Sequence, residues 1–269
     1  MAIITISRGS YSRGKEVAEK VAEKLGYKCI AREVILEASK EFNIPEFRLM
    51  KAVHDAPSIF EKFSYGKEKF IAYFQTALLK SLHGDNVVYH GLAGHFYVKD
   101  VPHVLKVRII ADVQDRIRYL MESENISYES ALSRIKRDDS ARSKWSQHLY
   151  GIDTADPLLY DLVVTVRSMS VDDVVDIICT TAKLDTFRTT PESRQAMDDL
   201  VLSAEVRTAL LELKPDIPVK VRGGVAYLGA GAKMMKQPEK IAEMEKIAGG
   251  VPGVTEVKID TSHMMEWTD

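Results

Sequence analysis

The chain has 269 residues, 45% of them hydrophobic and 28% charged, with a formal net charge of −2. That length suits one large α/β domain, or a large domain with a small one, and the composition is that of a globular protein. The near-neutral balance gives no bulk attraction to nucleic acid or to an anionic membrane, so any polyanion site has to be a local patch. Cys29 and Cys179 lie far apart, in or beside apolar runs, and read as buried reduced thiols rather than a disulfide or metal site. The opening run MAIITIS is too short for a secretory h-region. No stretch reaches the ~18 apolar residues of a membrane span, so the chain reads as cytoplasmic with no transmembrane segment.

Ala2–Ser7 is a short β-branched run that ends in a glycine-containing loop, as a buried parallel strand does. From Gly14 to Leu25 the residues Val17, Ala18, Val21, Ala22 and Leu25 form one apolar helical face, stopped by Gly26. A brief strand, YKCI, precedes helical patterns over 32–42, 46–53 and 66–83. NVVYHG (86–91) and HVLKVRIIA (103–111) read as buried strands, 112–150 as charged and helical, YDLVVTV (160–166) as a further strand and 171–184 as an amphipathic helix. This alternation predicts a parallel sheet covered on both faces. The polar stretch 185–195, with Pro191, reads as a linker or boundary. Beyond it come a helix to about 213, a hairpin signal over 217–231 at Gly223-Gly224, a charged helix (238–248) and a strand (253–260), an αββαβ order.

Two stretches carry chemistry. Gly9, Gly14 and Lys15 stand at the spacing of G-x-x-x-x-G-K-[ST], between a strand and a helix. In that setting the backbone of Gly9, Ser10, Tyr11, Ser12, Arg13 and Gly14 and the positive helix end can cradle a phosphate chain, with Lys15 neutralising it. Glu16 occupies the hydroxyl position. Its carboxylate could hold Mg²⁺ through water, or simply favour the helix N-terminus as a first-turn acid. The second stretch is SRIKRDDSARSKW (133–145), where Arg134, Arg137 or Asp138, and Arg142 recur at helical spacing. Cations gathered on one face suit phosphoryl transfer, and a solvated helix of i,i+4 ion pairs is the plain alternative. Arg32 follows the second strand and could meet an acceptor's phosphate. His90 and His95 flank GLAG at a strand's carboxyl end, where α/β sheets bind ligands, and structural roles suit both. Asp112 and Arg116 open the next helix and read as its cap and a pairing residue.

In this order the segments ITISRGSYSRGKEVAEKVAEKLGY, AREVILEASKE and IKRDDSARSK resemble the cytidylate kinase-like family of nucleoside monophosphate kinases. The resemblance covers about residues 2–184. It implies a three-layer P-loop kinase fold with a parallel sheet and a helical lid, using ATP and Mg²⁺. By it Lys15 would bind donor phosphates, Arg137 and Arg142 would steady the transferring group, Asp138 and Arg142 would contact the nucleotide substrate, and Arg32 its phosphate. Glu16 would stand at the metal position. The chain departs from the family at Glu16, at Ala31 in place of an aspartate, and at Leu92 in place of an arginine after the third-strand glycine. Residues 195–262 resemble a BON domain through VKVRGGVAYLGAG and AGGVPGVTEVKID, which implies a protein or membrane-surface partner. The expected organisation is therefore a kinase-like domain over 1–187 and a small α+β domain over 188–269, compatible with a homo-oligomer. Two functions stay open: phosphoryl transfer to a CMP-like acceptor, and a nucleotide-binding sensor that signals through the C-terminal unit.

Overall fold

The first strand, β1 (Ile3–Arg8), is buried on both sides, and the rest of the N-terminal unit is arranged around it. The computed structural model describes residues 2–31, 33–43, 66–231 and 234–260. The expected helical pattern over 46–53 and the candidate residue Arg32 lie outside the described residues. Helix α1 (Gly14–Leu25) follows β1, and then come β2 (Lys28–Ile30), α2 (Glu33–Glu41), α3 (Gly66–Leu82) and β3 (Val87–His90). Next are the short α4 (Gly94–Tyr97), β4 (Val104–Ala111), α5 (Val113–Glu124), α6 (Tyr128–Tyr150), β5 (Leu162–Val166) and α7 (Val171–Thr181).

The five strands are parallel in the order β2-β3-β1-β4-β5. Successive residues of a strand point to opposite faces, so a sheet covered twice needs apolar residues at nearly every position. Ala2, Ile4 and Ile6 pack against Val17, Ala18 and Val21 of α1 and Val174 and Ile178 of α7. Ile3, Tyr89 and Val104 face the other way, toward Phe70, Phe74 and Leu78 of α3 and Trp145 and Leu149 of α6. Cys179 is buried, as expected, whereas Cys29 is only half-buried, and both are free thiols.

The charged stretch 112–150 resolves into two helices, separated where Asn125 adopts φ 53°. Asp112 caps α5 through Gln114 N, and Ser127 caps α6 through Ser130 N. Ile117 and Leu120 pack on Ala131 and Ile135, giving this helical hairpin a small core of its own.

The polar stretch 185–195 holds a 3₁₀ turn with Phe187 buried, and then the first turn of α8 (Pro191–Ala209). Thr190 and Ser193 form a capping box there, with Pro191 at the first helical position. Helix α8 contributes to two cores. Met197 and Ala204 join the core beside α3, and Val206 joins a second core with Val221, Leu228 and Met244. That second core lies under β6 (Val219–Arg222), β7 (Val225–Gly229) and β8 (Glu256–Asp260), with α9 (Pro238–Gly249) crossing between β7 and β8. The αββαβ order is the expected one, and Gly223 and Gly224 at φ 57° and 81° make the tight hairpin turn. Among the described residues no helix is long and apolar enough to cross a membrane.

Candidate active site

The loop between β1 and α1 is fixed from below. Gly9 N donates to Ile109 O of β4 at 3.0 Å, and Ser12 Oγ lies 2.9 Å from Gly9 O and 3.1 Å from Ile109 O. Tyr11 and Arg13 adopt φ 58° and 60°, left-handed conformations that cost about 1–2 kcal/mol each outside glycine. Left-handed residues within a turn let successive N–H groups line one concavity, and the first turn of α1 adds N–H groups without intrahelical partners. Gly14 is required by contact: a Cβ there would stand 2.7 Å from the Cβ of Arg8.

The candidate residues take distinct places around this loop. Lys15 is 64% exposed, with Nζ 3.6 Å from Glu19. Glu16 receives two hydrogen bonds of 2.9 Å from Arg13, and Lys20 Nζ lies 3.8 Å away. Ser10 donates to Asp139 of α6, and Arg116 Nη2 reaches Ser10 Oγ at 2.7 Å and Asp139 Oδ2 at 2.7 Å. Tyr11 donates to Asp138, and Arg142 Nη1 donates to Arg8 O at 2.9 Å. Burial lowers the pKa of Arg142, against the nearby Asp139 and Asp138, which raise it. Arg137 is 71% exposed and pairs with Asp138 at 3.1 Å, while Arg134 pairs with Glu124 and lies 5.8 Å from the Tyr11 ring centre. Asp138 and Arg142 therefore meet the loop, and Arg137 stands at the surface.

Beneath α6, on the sheet face that carries Ser7, is a pocket of about 330 Å³. Arg8, Arg108, Arg116 and Arg142 line it, together with Leu92 and His95. Tyr160 OH lies 3.1 Å from His95 Nε2, 3.2 Å from Ser7 Oγ and 3.1 Å from Arg108 Nη1. Burial, then the neighbouring Arg108, pushes His95 down to about 3, and burial, then Arg8, pushes His90 down to about 4. With those values both imidazoles are neutral at physiological pH, at the carboxyl end of the sheet.

Three of these arginines had a weak signal in the sequence or none. Arg116 reads as a pairing residue, and it does pair, but with Asp139 of α6 beside the loop. Arg8 directly follows the apolar run Ala2–Ser7 and ends β1, and Arg108 interrupts the apolar run HVLKVRIIA. The one clue to Arg108 is a charge at a strand position that should be covered. Its partner Ser7 emerges only from the register of β1 with β4.

The loop, the helix end and the arginines fit a polyphosphate. Among the described residues no three His, Cys, Asp or Glu side chains group to hold a metal ion, and both Glu16 oxygens are engaged by Arg13.

The family model of the cytidylate kinase-like family matches residues 3–168. A cytidylate kinase of Sulfolobus acidocaldarius is 27% identical over 177 residues, spanning 65% of this chain and 91% of that protein. A cytidylate kinase of Archaeoglobus fulgidus is 29% identical over 180 residues, with 65% and 91% spanned. The crystal structure of an uncharacterized protein from Eubacterium ventriosum shares the fold, with a TM-score of 0.54 and 20% identity over 67% of this chain and 97% of that one.

Proposed function

The chain belongs to the cytidylate kinase-like family, and from that premise we propose that residues 1–187 transfer the γ-phosphoryl group of ATP to a nucleoside monophosphate such as CMP or a related small acceptor. An oxygen of the acceptor's phosphate forms the new P–O bond, the bond between the γ-phosphorus and the β–γ bridging oxygen breaks, and ADP leaves. The observation that carries this reading is one pocket lined by Arg8, Arg108, Arg116 and Arg142 beside the loop from Gly9 to Lys15. Charge on the moving group spreads over its outer oxygens, so positioned cations and N–H groups supply most of the catalysis and no strong base is needed. Lys15 and the loop take the donor phosphates of MgATP. Arg142 and, after a change of rotamer, Arg137 serve the transferring group, with Asp138 and Arg32 at the acceptor.

The test is purified protein with ATP, Mg²⁺ and a panel of nucleoside monophosphates. Diphosphate should form, and Lys15→Ala should slow it by about 100-fold or more. No diphosphate at high enzyme concentration would sink the proposal.

A second reading, a nucleotide sensor with little turnover, is favoured by the pairing of Glu16 with Arg13. In it the nucleotide's presence passes through α8 to residues 188–269, a BON-like unit that meets a protein or membrane-surface partner from the cytoplasm. Calorimetry with ATP and CMP, with and without Mg²⁺, separates the two readings: binding without diphosphate supports the sensor, and no binding removes it.

A further inference from the structure

Arg108 sits inside β4 between Val107 and Ile109, both wholly buried, in register with Ser7 of β1. Arg108 itself is half-buried at the pocket, and a partly desolvated guanidinium is disfavoured without a counter-charge. Its partners here are neutral. Both of its hydrogen bonds to described residues leave from Nη1, to Tyr160 OH at 3.1 Å and Ser7 Oγ at 3.4 Å, and the Tyr160 ring centre lies 5.5 Å away. Tyr160 is itself held by His95 Nε2 at 3.1 Å and by Thr154 O at 3.0 Å. These groups orient the cation without neutralising it. Among the described residues the salt bridge at this pocket belongs to Arg116 and Asp139, whereas Arg142 donates to a backbone carbonyl. Leu92 lines the same space from the β3 side, so an apolar side chain and a sheet-borne arginine face one cavity.

We propose that Arg108 determines acceptor specificity by binding the acceptor's phosphate monoester, supplying from the sheet the guanidinium that Leu92 cannot. This rests on the kinase reading of the site. A planar guanidinium with five N–H donors, two of its nitrogens uncommitted to described residues, suits paired contacts to a phosphate dianion. The expected ligand is a compound that carries a terminal phosphate, not its dephosphorylated analogue.

The experiment titrates CMP, AMP, UMP, GMP and cytidine into the full chain by calorimetry, with ATP titrated separately. Wild type should bind at least one monophosphate, and Arg108→Gln should bind it about 10- to 100-fold more weakly. Binding of ATP and of any nucleoside should stay unchanged. Adding Leu92→Arg to Arg108→Gln should restore part of the lost affinity. In turnover, the change should fall on KM for the acceptor and leave KM for ATP in place. Retained ATP binding and the thermal transition establish that the variant is folded, and Arg108→Lys serves as a milder second variant. Equal monophosphate affinity in wild type and Arg108→Gln overturns the proposal, as does a wild type that binds ATP but none of the four monophosphates. Failure of ATP binding in wild type counts against the kinase reading instead.

Discussion

The Tyr11 hydroxyl donates a hydrogen bond to Oδ2 of Asp138, tying the phosphate loop to helix α6. Tyr11 holds a left-handed backbone at φ 58°, packs against the core of the α5–α6 hairpin and lies under Arg134. Burial and then Asp138 raise its pKa, so it remains a donor well above neutral pH. Tyr11→Phe keeps the ring and removes the bond. It should lower stability by about 1 kcal/mol and speed proteolysis within α6. Urea unfolding and limited digestion measure both, and unchanged digestion of α6 would show that the bond does not hold the helix down.

Asp85 is 5% exposed and accepts from Arg194 of α8 and, at 3.0 Å, from Thr189, with His103 Nε2 at 3.4 Å. Arg194 Nη1 also donates to His83 O at 2.6 Å, so one side chain fastens α8 to the turn before β3. Arg194→Ala leaves a buried carboxylate without its cation. The cost should be about 3 kcal/mol, the lower end for such pairs because Arg194 is partly exposed. A urea midpoint at neutral pH reads this directly, and a shift no larger than that of an exposed pair such as Lys24–Asp176 would refute it.

Much of this architecture is legible in the chain because local rules suffice. Val17, Ala18, Val21 and Ala22 mark a helix face, Gly26 marks its end, and Gly223-Gly224 marks a hairpin, and the structure places each as read. The pocket is less legible because it depends on register. Beyond its charge inside an apolar run, nothing local distinguishes Arg108 from a strand arginine that snorkels to solvent, and the pairing of Ser7 with Arg108 sets it beneath α6. Likewise Asp85, His103 and Arg194 come from three distant segments, and no spacing announces their cluster. The helical spacing of Arg134, Arg137 and Arg142 did mark the helix α6. It missed that the acids between them, Asp138 and Asp139, make the contacts to Tyr11 and Ser10.

His90 and His95 make stability fall on the acid side. Burial, with Arg8 and Arg108 as the second causes, puts them at about 4 and about 3 against 6.5 in the unfolded chain. Between those values the unfolded chain binds protons that the folded protein refuses. Stability is therefore full above about pH 6.5 and declines as the pH drops toward 4, by up to about 1.4 kcal/mol per pH unit for each histidine. His95→Gln can still hydrogen-bond Tyr160 but cannot titrate, so its stability should decline less steeply. Urea midpoints at about pH 7.5, 6.5 and 5.5 test this, and parallel slopes for the two proteins would exclude His95 as a source.

Glu16 stands in the loop's helix end, paired with Arg13, and its role toward a charged ligand can be tested. Its carboxylate sits in the first turn of α1, at the positive helix end, and both oxygens are held by Arg13. As a fixed negative charge beside a polyphosphate site it should oppose nucleotide binding. As a water-mediated metal ligand it should favour binding only when Mg²⁺ is present. The pairing with Arg13 supports the first role. Glu16→Ala should then bind ATP about 2- to 5-fold more tightly in EDTA, since it removes the repulsion and frees Arg13 to face the phosphates. Calorimetry with and without Mg²⁺ separates the roles. An affinity that is unchanged in EDTA and lower with Mg²⁺ would assign Glu16 to the metal, whereas tighter binding in both conditions makes it a carboxylate that Arg13 keeps occupied until a phosphate displaces it.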